Sequence, residues 1–108
     1  MIENKNYDVF CYINKKKQIA LTKKNNLGFL NQFNLPGIRK SNKNARTGNW
    51  KFLTRYKNSI SNKKLYINLY YKFSNKIPES FVWHSIDKNK EFIPTFTKKI
   101  LRQVSILF

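Results

Sequence analysis

The amino-acid sequence predicts an α+β domain, a mixed, mostly antiparallel sheet closed by one C-terminal helix. Three observations lead there. Residues 7–13 and 64–73 alternate apolar with other side chains at period two, as strands with one buried face do. The C-terminal stretch changes period, and Phe96, Ile100, Leu101, Val104 and Leu107 recur at helical spacing. A chain of 108 residues has room for one domain and shows no internal repeat. That domain spans 1–108, with residues 1–6 as a lead-in and 38–49 as a basic, flexible loop.

In residues 7–13 (Tyr-Asp-Val-Phe-Cys-Tyr-Ile), the side chains of Tyr7, Val9, Cys11 and Ile13 fall on one face. Residues 14–17 (Asn-Lys-Lys-Lys) make a polar turn, and 18–22 return with Ile19 and Leu21 inward, a hairpin. A loop follows, then an apolar patch of Phe29, Leu30, Phe33 and Leu35 ended by the turn signal Pro36-Gly37. Residues 39–49 hold almost nothing apolar and no acid, which reads as an exposed loop. Residues 50–56 suit a strand, and the polar run 58–63 interrupts it. In 64–73, Leu65, Ile67, Leu69, Tyr71 and Phe73 share one face, opposite Tyr66, Asn68, Tyr70 and Lys72. After a turn through Pro78, residues 80–85 read as a further strand, and Thr95 is placed to N-cap the helix.

Lys and Arg number 22 against five Asp and Glu, a formal charge of +17. Such a balance suggests a polyanionic partner. Hydrophobic residues make up 41% and aromatic residues 16%, enough for a packed core and against wholesale disorder. Lys and Asn fill 33 of the 108 positions. Their codons are A/T-rich, so drift in base composition is an alternative source of the charge, which does not by itself establish nucleic-acid binding.

The residue inventory excludes several classes of chemistry. One cysteine, Cys11, makes neither an internal disulfide nor a cysteine-based zinc site, and His84 is the lone histidine. The acids Glu3, Asp8, Glu79, Asp87 and Glu91 are not spaced to put two carboxylates on one helical turn, which disfavours a divalent-metal hydrolase. His84 on a strand beside Trp83 reads as a packing or surface residue, and Cys11 between Val9 and Ile13 as a small core residue. Three glycines supply no P-loop or dinucleotide turn. No catalytic constellation is therefore expected in this chain. No apolar run is long enough to span a membrane, and the segment after Met1 lacks the apolar stretch of a signal peptide. A cytoplasmic location is expected.

Taken in order, the segments resemble the C-terminal domain of adenine-specific DNA glycosylases, the MutY family, which has a Nudix-like fold. Residues 9–22 look like that family's first strand pair. Residues 23–37 (Lys-Lys-Asn-Asn-Leu-Gly-Phe-Leu-Asn-Gln-Phe-Asn-Leu-Pro-Gly) are similar to its basic G-L-L-G-G-M-x-x-x-P-G segment. Residues 56–65 (Tyr-Lys-Asn-Ser-Ile-Ser-Asn-Lys-Lys-Leu) resemble the loop that usually reads Phe-Ser-His or Phe-Thr-His before an alternating strand. Val82-Trp83, Ile93-Pro94-Thr95 and residues 98–101 (Lys-Lys-Ile-Leu) look like the closing W … L-P-t-x-x-r-K-i-L pattern. The likeness runs from about residue 7 to 104.

The resemblance implies a function. Such a domain helps recognise 8-oxoguanine paired with adenine in duplex DNA, while a separate N-terminal helical domain, in cis or in trans, excises the adenine. A nucleoid-associated location follows. Ile60, Ser61 and Asn62 would occupy the Phe-Ser-His loop, flanked by Ser59, Lys63 and Lys64 as lesion- and DNA-binding residues. The Ser61 hydroxyl can hydrogen-bond a base edge, and Ile60 can wedge beside the stack, less well than Phe. Asn62 keeps hydrogen-bonding capacity but loses the titratable ring. Lys23, Lys24, Arg39, Lys40, Lys43 and Arg46 would contact phosphates.

Two absences complete the comparison. A working Nudix hydrolase needs a Glu-rich helix, Arg-Glu-x-x-x-Glu-Glu in outline, and residues 38–49 contain no acid, so diphosphate hydrolysis is not expected. The glycosylase's helix-hairpin-helix, catalytic acids and iron–sulfur cluster also have no counterpart, so no cofactor is expected here. The chain is then either a detached domain of a longer enzyme or a separate polypeptide that keeps the recognition module. A rival from a different class is a small basic RNA-binding or ribosome-associated protein, in which Tyr12, Tyr66 and Tyr70, if exposed, stack on bases.

Overall fold

The alternation of residues 7–13 is realised in the first strand, β1 (Glu3–Asn14), where Val9, Cys11 and Ile13 are fully buried and Tyr7 nearly so. The computed structural model describes residues 3–23, 34–41, 48–60, 63–86 and 95–108. In it, β1 is followed by β2 (Gln18–Leu21), β3 (Gly37–Lys40), β4 (Lys51–Ile60), β5 (Lys63–Phe73), β6 (Val82–Ser85) and the helix α1 (Thr95–Val104). A 3-10 turn, Ser105–Leu107, extends the helix. The strands form one six-stranded sheet in the order β4-β5-β1-β2-β6, with β3 also paired to β1.

Turn chemistry sets the first hairpin. Lys17 takes φ 58°. The Asn14 side chain holds the loop, its Oδ1 accepting the backbone N–H groups of Lys16 at 3.0 Å and Gln18 at 3.2 Å. The sheet is mixed and mostly antiparallel, as expected. The other pairings are antiparallel, but β1 and β5 run parallel from Glu3↔Lys63 to Ile13↔Phe73. Such a long-range pairing leaves no mark in local periodicity.

Four boundaries differ from the sequence reading. β1 already includes Glu3–Asn6, so the lead-in is shorter than residues 1–6. Residues 38–40, expected in the basic loop, lie in β3 and pair with Val9, Asp8 and Tyr7. β4 continues to Ile60 instead of ending before Asn58. Asn58 tolerates burial there because its Oδ1 accepts a hydrogen bond from Lys99 Nζ of α1 at 2.7 Å. Thr95 is the first residue of α1 rather than the residue before it, and 87–94 lie outside the described residues.

One face of the sheet carries the core. Leu65, Ile67 and Leu69 of β5 join the buried residues of β1 and β2, and α1 lays Phe96, Ile100, Leu101 and Val104 across them. Full burial of each such aliphatic side chain contributes roughly 1.5–3 kcal/mol. A buried hydrogen bond from Thr97 Oγ1 to the Asn34 carbonyl, at 2.6 Å, ties the helix to the strand bridge Thr22↔Leu35. The opposite face bears no helix among the described residues.

Candidate nucleic-acid interface

β4 and β5 form the longest hairpin, and their pairing continues to Ser59↔Lys64 and Ile60↔Lys63. A bulge between Phe52 and Thr54 lets Leu53 pack on the core while the rest of β4 keeps its alternation. At the hairpin end Ser59 is exposed, and Lys63 and Lys64 are half-buried. Ser61 and Asn62, and the side chain of Ile60, lie outside the described residues. The parallel neighbour adds Glu3↔Lys63 and Asn4↔Lys64. Arg39 and Lys40 pair with Asp8 and Tyr7 on the opposite edge of β1. Four residues of strand rise about 13 Å, so these two basic groups occupy the same half of the sheet.

The remaining expected phosphate contacts divide in two. Lys23 is exposed and lines a cavity with Asn34, Ser80 and His84. Lys24, Lys43 and Arg46 lie outside the described residues. Arg39 stands on a strand, not a loop, and its Nε is 3.5 Å from Asp8 Oδ2. Asp8 is buried and also accepts a hydrogen bond from Asn68 Nδ2 at 3.1 Å. The Arg39 guanidinium lies 4.7 Å from the centre of the Phe10 ring. Its Nε and Nη2 are buried without a hydrogen-bond acceptor among the described residues.

Beside Arg39 the outer face of the sheet becomes aromatic. Phe10 and Tyr70 stack at 5.3 Å, and Trp50 meets Phe10 at 5.1 Å and Tyr12 at 4.8 Å, both edge-to-face. Phe81 adds a ring 6.1 Å from Tyr12, and Lys72 Nζ lies 5.9 Å from the centre of Trp50. Phe10, Tyr12, Trp50, Lys72 and Phe81 line an open cleft of about 530 Å³. Trp50 enters it through a turn in which Gly48 has φ +59°, a conformation that glycine adopts without a Cβ penalty. Sequence reasoning did not assemble this cleft. Its signal was present, since residues 7–13 carry rings on the polar side of the alternation too, at Phe10 and Tyr12.

Nucleophilic chemistry finds no support in the geometry. Cys11 is fully buried, which pushes its thiol well above the ordinary range and keeps it neutral. Tyr56 is likewise pushed up, first by burial and then by Cys11, and among the described residues its hydroxyl has no hydrogen-bond partner. His84 is buried in β6 opposite Ile19. Among the described residues no three His, Cys, Asp or Glu side chains are grouped to hold a metal ion. No helix among them is long and apolar enough to cross a membrane.

No family model matches the chain, and no curated protein does. Among solved structures it is similar to a MutT Nudix hydrolase from Burkholderia pseudomallei, with a TM-score of 0.69 and 13% identity over 94% of this chain and 98% of that one. The fold is Nudix-like: a mixed sheet with a C-terminal helix packed on one face. Diphosphate-hydrolysing members of that fold hold magnesium on a Glu-rich helix. Here the sequence after Gly37 has no Asp or Glu through residue 49.

Proposed function

We propose that this chain is a non-hydrolytic, Nudix-like recognition domain that helps an adenine DNA glycosylase recognise 8-oxoguanine paired with adenine. The observation that carries the reading is the long β4–β5 hairpin, whose end bears Ser59, Lys63 and Lys64 around the segment that resembles the Phe-Ser-His loop. Lysines there can hold phosphates while hydroxyl and amide groups of Ser59, Ser61 and Asn62 meet base edges. Oxidation of guanine changes the donors and acceptors on its edge, and short polar side chains can register that change. The catalytic acids and the iron–sulfur cluster belong, on this reading, to an N-terminal glycosylase domain acting in cis or in trans. Location on the nucleoid follows from the substrate.

The test is equilibrium binding of the chain to three duplexes that differ in one central pair, at one fixed salt concentration. The expected order places 8-oxoguanine·adenine about tenfold tighter than guanine·adenine or guanine·cytosine, a preference worth about 1.4 kcal/mol. Ser61→Ala should erase most of that preference and leave affinity for the guanine·cytosine duplex unchanged. Equal, steeply salt-dependent binding to all three duplexes would reject lesion recognition.

A further inference from the structure

We propose that the aromatic cleft on the outer face of the sheet binds an unpaired nucleotide of a DNA strand, its base against Trp50 and Tyr12 and its phosphate on Arg39 and Lys72. The cleft's volume of about 530 Å³ suits one nucleotide and falls in the range of small-ligand sites. Its rings meet edge-to-face, at 61° and 68° around Trp50 and 75° between Tyr12 and Phe81, so they wall a concavity instead of closing on one another. All four are half-exposed, a contiguous apolar surface of the kind that marks an interaction site.

Charge selects the occupant. None of the described residues lining the cleft is acidic, whereas Arg39 and Lys72 both reach it. Asp8 Oδ2 lies 3.5 Å from Arg39 Nε, and 39% of the Arg39 side chain remains exposed. An anionic oxygen is the partner an exposed guanidinium takes best. An inorganic phosphate would have no use for the aromatic walls, and an apolar peptide would leave the two cations unanswered. A nucleotide answers both, with a π-face for stacking and an anion beside it. Choosing DNA rather than RNA rests on the function proposed above.

Trp83→Phe leaves Trp50 as the only tryptophan, and its emission reports the cleft directly. Titration with a single-stranded deoxyadenosine decamer at fixed salt should quench that emission saturably. Anisotropy of a labelled decamer should show Tyr12→Ala and Trp50→Leu, which change no charge, weakening binding by about tenfold. Lys72→Gln, at a half-exposed position, gives a second handle with little risk to folding. Ser61→Ala should leave the quench intact, so loss of lesion preference and loss of the cleft are read separately. Emission unchanged at saturation would overturn the proposal. So would equal quenching by free deoxyadenosine monophosphate, tighter binding of the matching RNA, or a shift with protein concentration alone, which would give the face to a second copy of the chain.

Discussion

Cys11 gives the fold an alkaline limit. Burial pushes its thiol above the ordinary value of about 8.5, so the folded chain keeps a proton that the unfolded chain releases. Above about pH 8.5 the unfolded state binds fewer protons, and stability falls as pH rises, by about 1.4 kcal/mol per unit. Urea unfolding at about pH 7.5 and 9.5 should therefore differ by about 1.4 kcal/mol more in the native chain than in Cys11→Ala. The same loss in both would show that another group carries the effect. The core role of Cys11 was legible because its neighbours at period two are Val9 and Ile13. Arg39 was not legible in the same way. It follows Pro36-Gly37 in an acid-free run, so local composition suggested a loop, while the partners that fix it, Asp8 and Phe10, lie about thirty residues away in sequence.

At the level of elements, α1 depends on two polar ties as well as its apolar face. Thr97 donates to the Asn34 carbonyl at 2.6 Å, and both residues are buried. Thr97→Val preserves shape and removes the donor, leaving that carbonyl unsatisfied at a cost of about 1–3 kcal/mol. Urea unfolding should show a lower midpoint with an unchanged slope, and an unchanged midpoint would mean that solvent already satisfies the carbonyl. The helix was legible from its spacing alone, as was the alternation of β5, because both depend on neighbours three or four residues and two residues away. The length of β4 was not. Asn58 looked like part of a polar interruption, but it pairs with Leu65, and a hydrogen bond from Lys99, 41 residues on, satisfies its buried side chain. The hairpin end is thus longer and better supported than the sequence suggested, with pairing up to Ile60↔Lys63.

For the whole molecule, the question is whether +17 is a surface bias or a working field. The fold class was legible because segment order and periodicity each pointed to a sheet followed by a helix, and the Nudix-like architecture agrees. The target of the charge is harder to read, because lysines spread by codon bias and lysines placed on phosphates look alike in sequence. Salt distinguishes them. If about five cations meet duplex phosphates together, the logarithm of the binding constant should fall with the logarithm of salt at a slope of about −4.5. Lys63→Gln with Lys64→Gln, at the hairpin end, should make that slope shallower by about 2 if both lysines sit on phosphates. Replacing exposed Lys98 and Arg102 on the helix should change it little if the hairpin end alone meets the phosphates. Equal effects from both pairs would mean that the charge acts as a diffuse cloud, and the hairpin would lose its claim to be the DNA-facing end.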